Sequence, residues 1–146
     1  MNTTIQSTLT KNIFLCLIGI MTIFLFESCA RKIAFQASTI VPGAEGTVKV
    51  KKDNNSNYTI QVELSNLAAP GKLESPMKTY VVWMETDQDP VKNMGQINSS
   101  SSFLSKRLKA SFETVSSIKP TRIFITAEDD GTIQYPGTQI LTTTNF

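Results

Sequence analysis

Two short acidic clusters are the first places in this chain where chemistry could occur. Glu85, Asp87 and Asp89 form one; Glu128, Asp129 and Asp130 form the other. If both lie at one end of a fold, their carboxylates supply hard oxygen ligands of the kind calcium takes, about 6–8 per ion. A pair at the right separation would also suit the acid and base of a glycosidase. Asp is equally a turn former, because its side chain bonds the backbone two residues on. The Asp-x-Asp spacing at 87–89 lacks the rest of a calcium-loop signature. No metal and no cofactor are therefore expected, and Asp87, Asp89, Asp129 and Asp130 are the positions where an ion would have to sit.

Other chemistry is excluded more firmly. The 146 residues contain no His, so there is no Ser-His-Asp or Cys-His machinery and no imidazole for a metal. The many Ser and Thr hydroxyls have no base to activate them, and no Ser-x-x-Lys is followed by its partner motifs. Lys49, Lys51 and Lys52 form one basic group, and Lys106, Arg107 and Lys109 another. They could touch anionic lipid or glycan, and lysines on an outward face also block sheet-to-sheet pairing. A net charge of +2 does not suggest a nucleic-acid face. The expectation is a protein that is not an enzyme.

The elements that position these residues begin after a leader. Residues 1–12 are polar, with Lys11 as their only charged side chain, and residues 13–26 carry one hydroxyl and no charge. A bilayer span needs about 20 apolar residues, whereas a signal-peptide core runs about 7–15. Glu27 ends the run, and Ser28-Cys29-Ala30 follows. Leu25, Ser28 and Cys29 resemble a bacterial lipoprotein signal, in the looser form found in the Bacteroidetes group. The resemblance implies a diacylglyceryl group on Cys29, cleavage before it and acylation of the new amine. Residues 1–28 are then the signal peptide, 29–32 a lipidated tether and 33–146 the domain. Ala30 is not the Asp of an inner-membrane retention signal, and Arg31-Lys32 is not an acidic surface-export signal. By resemblance, the protein belongs to the cell envelope, on the periplasmic face of the outer membrane. Cys16 leaves with the leader and Cys29 carries lipid, so no disulfide can form and an apolar core must hold the fold.

Residues 33–146 show period-2 alternation between turn signals, which marks half-buried strands. Ile33, Phe35 and Ala37 alternate with polar or small neighbours, as do Val48 and Val50. Tyr58, Ile60, Val62 and Leu64 do so most clearly, which predicts a hairpin around 53–57. The run from Lys78 to Thr86 is nearly continuous in apolar residues and predicts a central strand buried on both faces. Val91 to Ile97 returns, with Gly95 as a bulge. Asn98 to Ser102 is a serine-rich loop, and 103–108 fits either strand or one helical turn. Ala110 and Phe112 continue the alternation, then Ile123 to Ala127, a turn at Asp129-Asp130-Gly131 with positive φ at the glycine, Ile133 and Tyr135, and Ile140 to Thr142. About seven or eight short strands without helices predict an all-β fold, an antiparallel β-sandwich.

Tyr80-Val81-Val82-Trp83, Val91 to Ile97, Phe112, Ile123 to Glu128 and Pro136 to Leu141 form an ordered set that resembles the extracytoplasmic C-terminal domain of anti-sigma-K factor proteins. The resemblance covers about residues 78–142 and implies an Ig-like sandwich on the far side of a membrane. That family's sigma-binding domain and membrane helix have no counterpart here, and Asp89-Pro90 replaces its usual hairpin glycine, so sigma-factor inhibition is not implied. Tyr80, Trp83, Phe112 and Phe124 are expected in the core, although Trp83 beside Tyr80 could line a pocket. The functional expectation is a non-catalytic interaction or structural module, bound to the bilayer through acylated Cys29 and to an envelope protein or glycan. The alternative is a carbohydrate- or calcium-binding accessory domain.

Overall fold

The computed structural model describes residues 30–97 and 109–146. The leader, Cys29, the loop from Asn98, the 103–108 segment, Lys106 and Arg107 lie outside the described residues. Eight strands occur among the described residues: β1 (Arg31–Ala34), β2 (Glu45–Lys52), β3 (Tyr58–Ser65), β4 (Thr79–Glu85), β5 (Lys92–Gln96), β6 (Lys109–Ser116), β7 (Arg122–Glu128) and β8 (Thr138–Thr142). They form two 4-stranded antiparallel sheets, ordered β1-β2-β3-β6 and β5-β4-β7-β8. The expected all-β sandwich is what forms.

The order of strands is that of an Ig-like domain. Strands β3 and β4 are consecutive but lie in opposite sheets, and each pairs with the strand three further on, β6 and β7. This is the B–E and C–F interlock of immunoglobulin sandwiches, with β8 as G and β5 as C′. Residues 35 and 36 tie the sheets together on one side. Phe35 N–H donates to the Gly46 carbonyl at 3.0 Å, and Gln36 N–H donates across to Thr142 of the second sheet at 2.8 Å.

The alternation read from the sequence sets the core. Val48, Ile60, Val62 and Leu64 of the first sheet face Tyr80, Val82, Met84, Ile123 and Ile125 of the second. Phe112 is half-buried and packs against this core, and a β-carbon on Gly95 would lie 3.3 Å from its ring. Gly95 sits at φ +126°, where β5 carries its bulge: Val82 faces Gly95, but Trp83 faces Asn93. Strand β4 is buried on both faces, as its continuous apolar run predicts.

Tyr80 sits in this core and donates its hydroxyl to the Ala68 carbonyl at 2.9 Å. Burial pushes its phenol up from 10.0 to about 12. The native state keeps the proton that the unfolded chain sheds, so the stabilisation is complete below pH 10 and is lost between pH 10 and about 12. The expected loss is about 2–3 kcal/mol across that window, at roughly 1.4 kcal/mol per pH unit. A Tyr80→Phe variant should lack this part of the alkaline slope, read as the difference between the two denaturation midpoints against pH. Equal slopes would contradict burial of the phenol.

Three expectations need correction. The folded part begins before residue 33, because Arg31 and Lys32, expected in the tether, already pair with Val50 and Lys49 of β2. Gly131 does not have positive φ; a β-carbon there would meet the Gln96 side chain, 2.6 Å from Oε1 and 3.1 Å from Cβ. Ile133 and Tyr135 form no strand. Asn93 captures the carbonyls of Gly131 and Ile133 through its Nδ2, at 3.0 and 2.8 Å, and so holds that segment as a flap over β4 and β5.

Candidate functional site

The register divides the sandwich into two ends. Arg31 pairs with Val50, Lys52 with Tyr58, and Tyr58 with Ser116, so the chain enters β1 at the end that carries the 53–57 turn. Residues 117–121 then lead to Arg122, which faces Glu85 at the end of β4. This near end also carries the β4–β5 hairpin and the C-terminus. The far end carries the β1–β2 loop, residues 66–78 and the β7–β8 connection.

The two acidic clusters therefore do not meet. Glu128 faces Thr79, and Arg122 faces Glu85, at opposite ends of β4. Six residues of strand separate them by about 20 Å. That span rules out joint ion binding and exceeds either glycosidase separation, the larger being about 9.5 Å. Their carboxylates have local partners instead. Glu85 is ion-paired with Arg122. Glu128 accepts the Gly137 N–H at 2.7 Å. Asp130 accepts the backbone N–H and the hydroxyl of Thr132, each at 2.8 Å, and these bonds, with Lys78 nearby, hold its carboxyl below the ordinary range. Asp87 and Asp89 are exposed in a hairpin shaped by Thr86, whose Oγ1 accepts the Asp89 N–H at 2.9 Å. No group of three metal-ligating side chains forms among the described residues.

Two concavities among the described residues lie at the far end. The larger is a groove of about 880 Å³ where the β1–β2 loop crosses the ends of β3 and β6. Its floor is apolar, from Phe35, Ala44, Leu64 and Ala110, and Glu45, Glu63 and Lys109 stand around it. The second is a polar notch of about 500 Å³ between Lys78, Thr79, Gln96, Asp129 and Asp130. An apolar floor with a sparse charged rim can hold a chain segment or small apolar group.

The groove owes its shape to small residues. Gly46 lies directly across from Leu64, and a β-carbon there would approach Leu64 Cδ2 to 2.5 Å and the Glu63 carbonyl to 2.8 Å. Gly46→Ala should therefore push β3 away and cost about 1–3 kcal/mol as overpacking. Urea denaturation checks it; an unchanged midpoint would show that the strands yield freely. The sequence reading overlooked this site. The one signal available was the density of small residues in Gly43-Ala44-Glu45-Gly46.

No family model, curated protein or solved structure matches the chain. The site is therefore interpreted from its own geometry.

The core residues anticipated from sequence divide between two clusters. Tyr80 and Phe112 belong to the inter-sheet core. Trp83 and Phe124 form a second cluster with Val81 on the outer face of β4 and β7, covered by Val91 and Ile133. Trp83 is fully buried, so it does not line a pocket.

Proposed function

We propose that the protein is a lipid-anchored module of the bacterial envelope that works by binding rather than by catalysis. Acylated Cys29 moors it to the bilayer, on the periplasmic face of the outer membrane, and the far end of the sandwich takes the partner. The observation that carries this reading is polarity along the long axis. The chain enters the first sheet at Arg31, two residues after Cys29, and the two concavities described above open at the other end. Two residues reach at most about 7 Å, so the near end stays close to the lipid and the groove lies toward the other end of the sandwich. The partner class favoured by the groove is an envelope protein offering an apolar segment.

Photo-crosslinking residues at Thr47 and Ser111, both on the groove, should trap a protein in cells, while the same group at Asn55 on the near end should not. Trapping from Asn55 alone, or from none of the three, would overturn the reading. A carbohydrate partner is a second reading, favoured by Tyr135. Its side chain is 83% exposed on the connection that also carries Asp129 and Asp130. Retention on peptidoglycan or polysaccharide resin, lost on Tyr135→Ala, would select it.

A further inference from the structure

Lysines gather on the β1–β2 side of the first sheet's outward face, beside the point where the chain enters it, while Glu63 and Glu113 stand on the β3–β6 side. Lys32 of β1 and Lys49 of β2 are directly opposite cross-strand partners. Lys51 follows Lys49 on the same face. Like charges placed directly opposite one another are destabilising unless something neutralises them. Glu63 neutralises one, at 3.0 Å from Lys49 Nζ. Among the described residues, Lys32 and Lys51 have no ion-pair partner, and both are exposed. Asp53, on the adjoining turn, is engaged by its own backbone through the N–H groups of Asn55 and Asn57, each at 2.8 Å.

The same face carries an apolar residue where a soluble surface would not need one. Lys51 pairs with Thr59, and Thr59 with Val115, so lysine and valine share one cross-strand row. Val115 is 59% exposed, one of few large apolar side chains left in water. Cations with an apolar side chain beside them, at the level where the chain meets the sheet, match an interface with phosphate above and hydrocarbon below.

We propose that Lys32, Lys49, Lys51 and Val115 form a docking face for the anionic phospholipid headgroups of the membrane that holds the anchor. The orientation rests on the lipid-anchored reading above. Acyl chains alone leave the domain free to swivel about residue 30; docking by these near-end rows would fix its tilt, leaning the sheet's outward face toward the bilayer, with the groove's Thr47, Glu63 and Ser111 one row further along that face from the anchor. Each basic side chain within a Debye length of an anionic surface raises occupancy of the docked state by a factor of about five.

The test uses the full protein purified from membranes and reconstituted into phosphatidylcholine vesicles with or without phosphatidylglycerol. Exposed amines are acetylated and quantified by peptide mass spectrometry. Labelling of Lys32 and Lys51 should fall about five-fold or more with phosphatidylglycerol and recover at high salt. Lys72 and Lys78 at the far end should label equally in both vesicles. The double variant Lys32→Glu, Lys51→Glu should lose the salt-sensitive protection of the neighbouring Lys52. Equal labelling of Lys32 and Lys51 in the two vesicles would overturn the docking face. The intact mass of the same sample reports the anchor separately. An unmodified chain starting at Met1 would overturn the lipid reading, whereas the docking face stands or falls on the labelling ratio.

Discussion

Replacing Trp83 with alanine should cost about 3–5 kcal/mol of stability, even though Trp83 lies outside the inter-sheet core. Its side chain is fully buried on the outer face of β4. The indole stacks on Phe124, with centroids 6.2 Å apart and planes 10° from parallel, and its Nε1–H donates to Thr126 Oγ1 at 2.7 Å. Truncation removes the aromatic area, the stack and the hydrogen bond together, and leaves the Thr126 hydroxyl buried without that donor. The flap that carries Ile133 cannot collapse to fill the space, because Asn93 holds its carbonyls in place. Thermal denaturation should show a Tm lower by about 12–20 °C. Trp83 is the only tryptophan, so its fluorescence should also be blue-shifted in the native protein and shift red on unfolding. A Tm unchanged in the alanine variant would show that the outer cluster contributes little.

The second large effect is expected at Cys29. On the proposed reading its thiol takes the first lipid, and cleavage waits for that modification. Cys29→Ser should therefore accumulate the uncleaved chain, which migrates more slowly than wild type and carries no acyl mass. Globomycin on the wild type should accumulate a precursor of the same length. The expected size of the effect follows from chain length. Each buried methylene contributes about 0.8 kcal/mol, so several acyl chains make a durable anchor where a single one is marginal. Unchanged migration and membrane partition under both treatments would dispose of the lipoprotein reading.

Much of the fold was legible along the chain, because burial of one or both faces of a strand writes a local pattern. Tyr58 to Leu64 alternates, and the structure places Ile60, Val62 and Leu64 inward. The run 79–85 does not alternate, and β4 is covered on both sides. What that run could not reveal is which residues face which cover. Trp83 and Tyr80 both read as core, yet parity sends them to opposite faces, one under a flap and one under the other sheet. The flap was missed because nothing local marks it: two hydrogen bonds from Asn93, 38 and 40 residues away, capture a segment whose Ile133 and Tyr135 mimic a strand.

The site was harder to read for the same reason. The acidic clusters look alike in sequence, and only the antiparallel register of β4 with β7 puts them at opposite ends. The groove is built from Phe35, Gly46, Leu64 and Ala110, which belong to four separate segments and carry no reactive group. Sequence advertises charge and turn chemistry, whereas a groove made of small residues appears only when the strands are paired. The lysine row lay between these cases: Lys49 and Lys51 were visible as a basic face, but their apposition with Lys32 depends on β1 starting at Arg31.

Intact mass spectrometry of the protein purified from the membrane fraction tests the whole account most directly. A chain that begins at Cys29 and carries the added mass of its acyl chains is the predicted result. A chain that begins at Met1 with an unmodified Cys29 would contradict it, leaving the sandwich but removing its mooring and the direction in which its groove faces.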